Sequence, residues 1–315
     1  MSREDAFRDA ERRMWASVGV VPEERRVGLP GVGVSVRIQH VGEGAPVLFV
    51  HGASNSGTSW ANLVARLNGF SCLLLDRPGC GLSDPLPSPF DDVASLELFS
   101  DALVVDVMDA LQLDHADVVA TSYGGYSALR GAASHPDRIR RVMILGWTMG
   151  AANPALPWFM RLAGVPWLSR LMMAVPVSER TVRSMFKRIG LRGALESGKV
   201  SDELVASYTS LVRDTDTMRN ELEISRWNLT WKGLNDDLIL SDELLSKIEA
   251  PVYLLWGEDD PFGPPEAARA FAGRIPTATL ELVPDAGHAV WIDDPDHVAD
   301  VMTRFLSVGD GKEHA

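Results

Sequence analysis

Three side chains in this sequence have the types and chain order needed for nucleophilic acyl chemistry: Ser122, Asp260 and His288. Serine attacks a carbonyl only when a base takes its proton, and the base works only when a third group orients it. Ser122 lies in Asp117-Val-Val-Ala-Thr-Ser-Tyr-Gly-Gly-Tyr126, a β-branched run that enters a serine and leaves through small residues. Ala120 and Gly124 stand two positions before and after it, with Gly125 beyond. That spacing suits a nucleophile elbow, a sharp strand-to-helix turn where strand and helix nearly touch and only small residues fit. The competing reading of this stretch alone is a loop serine capping a helix.

The other two groups occupy strand ends. Gly257-Glu-Asp-Asp-Pro261 follows the apolar run 252–256, and Asp260 is the expected acid, with Asp259 second. Glu258 reads as part of a solvated turn. The alternative acid position, after the run 142–145, reads Gly146-Trp147-Thr148 and has no carboxylate. His288 follows Gly287 in a loop beyond the run 279–283 and completes the order Ser…Asp…His. His40, His115, His135 and His297 fit no such slot, and His51 reads as a structural histidine holding its turn. His51-Gly52-Ala53 follows the run 46–50. The Ala53 and Tyr123 amides are the expected oxyanion donors, each worth about 2.7–4 kcal/mol of barrier. Asp76-Arg-Pro-Gly-Cys-Gly-Leu-Ser-Asp84 lacks a phosphate-loop pattern and is expected to shape the pocket wall.

The elements that must hold these residues follow from pattern. Short apolar runs at 46–50, 71–75, 118–119, 142–145 and 252–256 predict strands buried on both faces. Residues 32–39 alternate as a further strand. Helices are predicted at 3–18, 59–67, 95–111, 124–134 and 241–248. Strands alternating with helices imply a mostly parallel sheet covered on both faces, with the site beyond the strands' carboxyl ends. The alternation stops near residue 150 and resumes at Pro251. Residues 150–236 read as an inserted helical cap, with helices at 158–173, 179–189, 201–213 and 218–227. The remaining 1–149 and 237–315 form the core. Trp158, Met160 and Met172, from the apolar and adaptable first half of the insert, are candidate substrate-binding residues, together with Trp147 just before it.

Composition narrows the partners. The chain has 315 residues and a net charge of −13, which disfavours nucleic acid and anionic membranes. Two cysteines make no disulfide framework or metal cluster, so a reduced, cytoplasmic setting is expected. Residues 142–160 carry no charge, yet Gly146, Gly150, Asn153, Pro154 and Pro157 break the run, so no membrane span is expected. No metal or cofactor is implied, the partner is a small-molecule substrate, and the sequence leaves the oligomeric state open.

His51-Gly52, Asp76 to Ser83, Ala120 to Gly125, Trp256 to Asp260, and Gly287-His288 with Asp293 and Pro295 together carry a resemblance. The chain resembles the capped α/β-hydrolase-fold proteins: carboxylesterases, lactonases, epoxide hydrolases, dehalogenases and C–C bond hydrolases. The resemblance spans 46–306. It implies the α/β-hydrolase fold with a helical cap, and hydrolysis through a Ser-His-Asp triad. The dehalogenases and epoxide hydrolases place aspartate where Ser122 stands, which sets them aside. C–C bond hydrolases usually carry tryptophan after the catalytic histidine, where this chain has Ala289. Proline iminopeptidases carry a Gly-Gly-Ser-Trp-Gly elbow that is absent. A serine hydrolase of an ester, lactone or related acyl bond, with an apolar portion to its substrate, is the expectation. A C–C hydrolase or acyltransferase with the same triad, or a hydrolase-fold ligand receptor, are the alternatives.

Overall fold

A computed structural model of the chain describes residues 1–87, 90–152, 157, 176–230 and 233–307. In chain order the elements begin with helix α1 (Arg3–Ser17) and strands β1 (Glu23–Leu29), β2 (Val34–Val41) and β3 (Ala45–Val50). Next come a 3-10 turn (Gly57–Trp60), α2 (Ala61–Val64), β4 (Phe70–Leu75), α3 (Val93–Ala110), β5 (Ala116–Thr121), α4 (Ser122–Ser134) and β6 (Ile139–Thr148). Among the described residues the next helices are α5 (Glu179–Arg188), α6 (Arg192–Glu196), α7 (Asp202–Asp214) and α8 (Thr217–Asn228). A two-strand ribbon, β7 (Leu229–Thr230) and β8 (Gly233–Leu234), leads to α9 (Asp242–Leu245). The chain finishes with β9 (Val252–Gly257), α10 (Pro265–Ala272), β10 (Ala278–Val283), α11 (Val290–Asp293) and α12 (Pro295–Leu306).

Eight strands form one sheet in the order β1-β2-β4-β3-β5-β6-β9-β10. The β4-to-β10 portion is parallel throughout, while β1 and β2 add an antiparallel edge. Alternation within each central strand splits the core into two layers. In β5, Val118 and Ala120 face the layer built with α3, α4 and α10, whereas Val119 faces the layer built with α1, α2 and α12. All six residues of β5 are buried, as expected for a central strand covered on both sides.

The expected strands are present, most with ends one or two residues from those predicted. Several elements differ from the expectation. The helix expected at 59–67 is a 3-10 turn followed by one α-turn, and that expected at 241–248 is a single turn. Strand β1 escaped the pattern reading because six of its seven residues are exposed or half-buried, so its register comes from main-chain pairing with β2 rather than from an apolar face. Helix α12 was not anticipated, although Asp294 caps it through the His297 amide and Pro295 opens it.

A buried ionic cluster ties β2 to α1 and to the segment after β4. Arg37 on β2 donates to Asp76 Oδ2 at 2.8 Å and to both oxygens of Glu11 on α1 at 2.7 Å. Burial alone would lower the Arg37 pKa, but Asp76 and Glu11 more than offset it and raise it. Asp76 also accepts from the Gly57 and Leu82 amides at 2.7 and 2.9 Å. Every charge in the cluster is therefore paired and hydrogen-bonded, the condition under which buried charges are tolerated.

Candidate active site

Ser122, Asp260 and His288 stand just beyond β5, β9 and β10, at the carboxyl edge of the sheet. Ser122 is in the left-handed region, with φ of 51°. A non-glycine residue held there costs roughly 1–3 kcal/mol and marks a site that the surroundings over-determine. Those surroundings are visible. The Ser122 carbonyl accepts from the Met149 amide and the Thr148 hydroxyl, both at 3.1 Å, and Thr121 Oγ1 bonds the Leu145 carbonyl at 2.5 Å. A Cβ on Gly124 would collide with the carbonyls of Val50 and His51, and one on Gly125 with Thr148. The small residues around the serine thus meet the packing requirement that their spacing suggested.

Asp260 is 3% exposed and fully engaged. Its Oδ2 accepts from the Trp147 amide at 2.8 Å and meets His288 Nδ1 at 2.9 Å, while Oδ1 accepts from the Phe262 amide at 2.9 Å. Asp259 is exposed and only its backbone is held, by the Ala286 carbonyl. The Phe262 ring packs edge-on against His288, with centroids 4.5 Å apart. The structure therefore joins Asp260 to His288 directly. Among the described residues, no hydrogen bond links the Ser122 hydroxyl to His288. Such bonds are commonly long without substrate and tighten in the complex.

The loop after β3 lies against the serine. A Cβ on Gly52 would stand 2.9 Å from Ser122 Cβ and 3.5 Å from its Oγ. Ser54, two residues on, also has positive φ (54°). Among the described residues no backbone carbonyl accepts from the Ala53 amide. Tyr123 is the second residue of α4, where an N–H precedes the first intrahelical bond and lies at the positive end of the helix.

His51 is completely buried and makes two defined bonds. Its Nε2 accepts from the Arg77 amide at 3.1 Å, so the ring proton is on Nδ1, which donates to the Gly52 carbonyl at 2.7 Å. Burial, with Arg77 adding to it, pushes the His51 pKa well below the usual range. His51 holds the turn as a neutral imidazole.

Trp147 contributes its amide to Asp260, and its buried ring packs on Phe262 with centroids 5.9 Å apart. Trp158, Met160 and Met172 lie outside the described residues, as does the helix expected at 158–173. The helices expected at 179–189, 201–213 and 218–227 correspond to α5, α7 and α8.

The strand-end loops make contacts that sequence reasoning did not anticipate. The His288 amide donates to the Ile189 carbonyl at 2.9 Å, and Gly190 packs directly on Gly287. The Gly287 amide donates to Asp293 Oδ2 at 2.8 Å. Burial raises the Asp293 pKa to about 7, although the Gly287 bond opposes that. Helix α8 docks on the 76–84 loop: Thr217 Oγ1 accepts from the Gly81 amide, Asn220 Nδ2 donates to the Gly79 carbonyl, and Glu221 pairs with Arg77. The 76–84 loop, expected to shape the pocket wall, is the seat of α8. Arg77 and Glu221 are 144 positions apart, and a lone acid on a helix gives no sequence signal of such a partner.

Residues 45–295 match the family model described as the alpha/beta hydrolase fold. The chain belongs to that family. It is a hydrolase by class, and its mostly parallel sheet flanked by helices is the family's architecture. It is similar to the 2-hydroxy-6-oxononadienedioate/2-hydroxy-6-oxononatrienedioate hydrolase of Comamonas testosteroni, 25% identical over 87% of this chain and 92% of the relative. It is equally similar, at 25% identity over 87% and 92%, to the 2-hydroxy-6-oxo-6-phenylhexa-2,4-dienoate hydrolase of Burkholderia cepacia. Among solved structures, naproxen esterase from Bacillus subtilis superposes with a TM-score of 0.74 at 17% identity, covering 97% of this chain and 99% of that one. At that identity the likeness speaks for the fold alone. Among the described residues no helix is long and apolar enough to cross a membrane.

Proposed function

We propose that this hydrolase cleaves an ester, lactone or related acyl bond through Ser122, His288 and Asp260. The observation that carries the reading is the 2.9 Å bond between Asp260 and His288 Nδ1, made by a carboxylate that two backbone amides also hold in place. That bond leaves His288 Nε2 as the basic nitrogen. His288 takes the hydroxyl proton as Ser122 Oγ bonds to the substrate carbonyl carbon, and Asp260 stabilises the imidazolium. The Ala53 and Tyr123 amides receive the negative oxygen. Collapse breaks the bond to the leaving oxygen, which takes the proton from His288. Water, activated by His288, then releases the acid from the acyl-enzyme. Residues 150–236 act as a cap on this site, and Trp147, Trp158, Met160 and Met172 are its candidate substrate contacts.

One substitution tests the reading. Ser122→Ala should lower turnover of an aryl ester by about 10³-fold or more with the circular dichroism spectrum unchanged. Survival of more than a few per cent of activity, by the same comparison, would remove Ser122 from the mechanism.

The names of the curated relatives favour a second reading, in which the same triad cleaves a carbon–carbon bond. A 2-hydroxy-6-oxo-dienoate has no ester to hydrolyse, so water must add across a C–C bond beside the ketone. Ala289 after His288, where such enzymes usually carry tryptophan, supports the ester reading. A direct comparison of kcat/KM on an aryl ester and on 2-hydroxy-6-oxo-6-phenylhexa-2,4-dienoate separates the two. Adding an alcohol acceptor to the ester assay reports acyl transfer as a new ester product.

A further inference from the structure

The Gly52 carbonyl and the Ala53 N–H are opposite ends of one peptide unit. A trans peptide is planar, with its C=O and N–H pointing in opposite directions, so whatever fixes the carbonyl also aims the N–H. Gly52 O receives two donors: His51 Nδ1 at 2.7 Å and Arg77 Nη2 at 3.0 Å. Arg77 Nε also holds the neighbouring His51 carbonyl at 3.0 Å. The guanidinium that makes these bonds is 2% exposed and lies over the Tyr123 ring, 4.4 Å from its centroid. Its charge partner is Glu221 of α8, itself 6% exposed, which also accepts from Cys80 Sγ at 3.0 Å. A buried cation of this kind keeps its position only while the partner is present.

We infer that Arg77 and Glu221 are positioning residues for the oxyanion hole: paired with Glu221, the guanidinium holds the Gly52 carbonyl away from the substrate and so aims the Ala53 N–H at it. The inference rests on the proposed role of Ala53 as an oxyanion donor. It makes the seating of α8 on the 76–84 loop a condition of transition-state stabilisation, although neither side chain touches the reacting atoms.

The experiment uses the full chain with Glu221→Gln, Arg77→Lys and the double variant Arg77→Met/Glu221→Met, in which the buried charges go together and folding is least disturbed. Four quantities are measured: kcat and KM on an aryl ester, inhibition by a trifluoromethyl ketone, and inhibition by the matching secondary alcohol. The ketone forms a hemiketal oxyanion on serine and fills the hole, whereas the alcohol does not. For Glu221→Gln and the double variant, kcat should fall about 10–50-fold with KM within about threefold, a part of the roughly 10²–10³-fold effect of losing a whole donor. Ketone affinity should weaken by the same factor while alcohol affinity holds, and Arg77→Lys should fall between wild type and the double variant. A purely structural role would lower the active-site count and leave the ketone-to-alcohol ratio unchanged. Folded variants with that ratio unchanged and kcat within about threefold of wild type would overturn the inference. Failure of the underlying reading looks different: Ser122→Ala would stay active, or the wild type would form no hemiketal.

Discussion

The loops at the carboxyl edge of the sheet and the helices from Glu179 to Asn228 are held by different forces. The serine and aspartate loops grow out of β5 and β9, which are wholly or almost wholly buried, and close backbone approaches lock the loops at this edge. At Gly52 a side chain would strike the serine, and at Gly124, Gly146 and Gly257 it would strike a neighbouring carbonyl. Nothing there can move without unpacking the core. The helices are unevenly anchored: α5 contributes Val182 and Phe186 and α6 contributes Ala194, whereas α7 buries six residues, Leu204, Val205 and Leu211 among them. They reach the loops mainly through polar contacts, from Ile189, Thr217, Asn220 and Glu221. Hydrogen bonds of this kind contribute about 0.5–1.5 kcal/mol each, more when charged. The difference teaches a division of labour. In the proposed mechanism the chemistry sits on the sheet edge, and its fine alignment rests on a few separable bonds to the helices.

That contrast can be broken from either side. The largest effect should come from the sheet edge. Asp260→Asn replaces the acceptor that fixes the His288 tautomer, and kcat on an aryl ester should fall roughly 10³–10⁴-fold. The exposed neighbour provides the control, since Asp259→Asn should stay within about twofold. Equal losses in the two variants would move the acid and dissolve the argument from Asp260's burial.

A smaller effect is expected where the helices touch the histidine loop. Gly190 has φ of 93°, and a Cβ there would stand 2.6 Å from Gly287 Cα and 3.0 Å from the Asp259 carbonyl. Gly190→Ala should shift the Ile189 carbonyl from the His288 amide and lower kcat about 5–20-fold, less than the ~10²-fold that a 1 Å misplacement can cost. Steady-state kinetics with a melting curve would check it. An unchanged kcat would show that the helices do not align His288.

The smallest effect is in stability. Burial raises the Asp293 pKa to about 7 from 3.8, so the folded state holds a proton that the unfolded chain releases. Stability from this group is therefore full below the unfolded pKa and declines as pH rises toward 7. Asp293→Asn keeps an acceptor for the Gly287 amide and removes that slope. The melting temperature of the variant minus that of wild type should be higher at pH 8 than at pH 5, by about 2–4 °C. A difference that stays flat with pH would remove Asp293 as the titrating group.

Much of this molecule was legible in its sequence, and the reason is local. Continuous apolar runs such as Val47 to Val50 and Val118-Val119 identify doubly covered strands without any knowledge of their neighbours. The small residues around Ser122 mark a tight turn because the steric demand lies within five positions. The chain order of Ser122, Asp260 and His288 carried the rest of the candidate site. Strand β1 was not legible, since main-chain pairing leaves no trace in side-chain pattern. Helix α12 carried a capping aspartate and an opening proline that the periodicity reading passed over.

What only the tertiary structure decided is which distant groups meet. The sequence presents Asp259 and Asp260 as neighbours of equal chemistry; burial against Trp147 and Phe262 distinguishes them. It offers His51 beside a candidate oxyanion loop; the Arg77 amide on its Nε2 makes it a neutral brace. Above all, it separates Arg77 from Glu221 by the whole stretch from β4 to α8, and folding makes them one buried pair. Elements follow from short-range pattern, because a strand or a turn is stabilised within its own few residues. Pairing of charges across the fold depends on where the elements pack, which the sequence around either residue does not record.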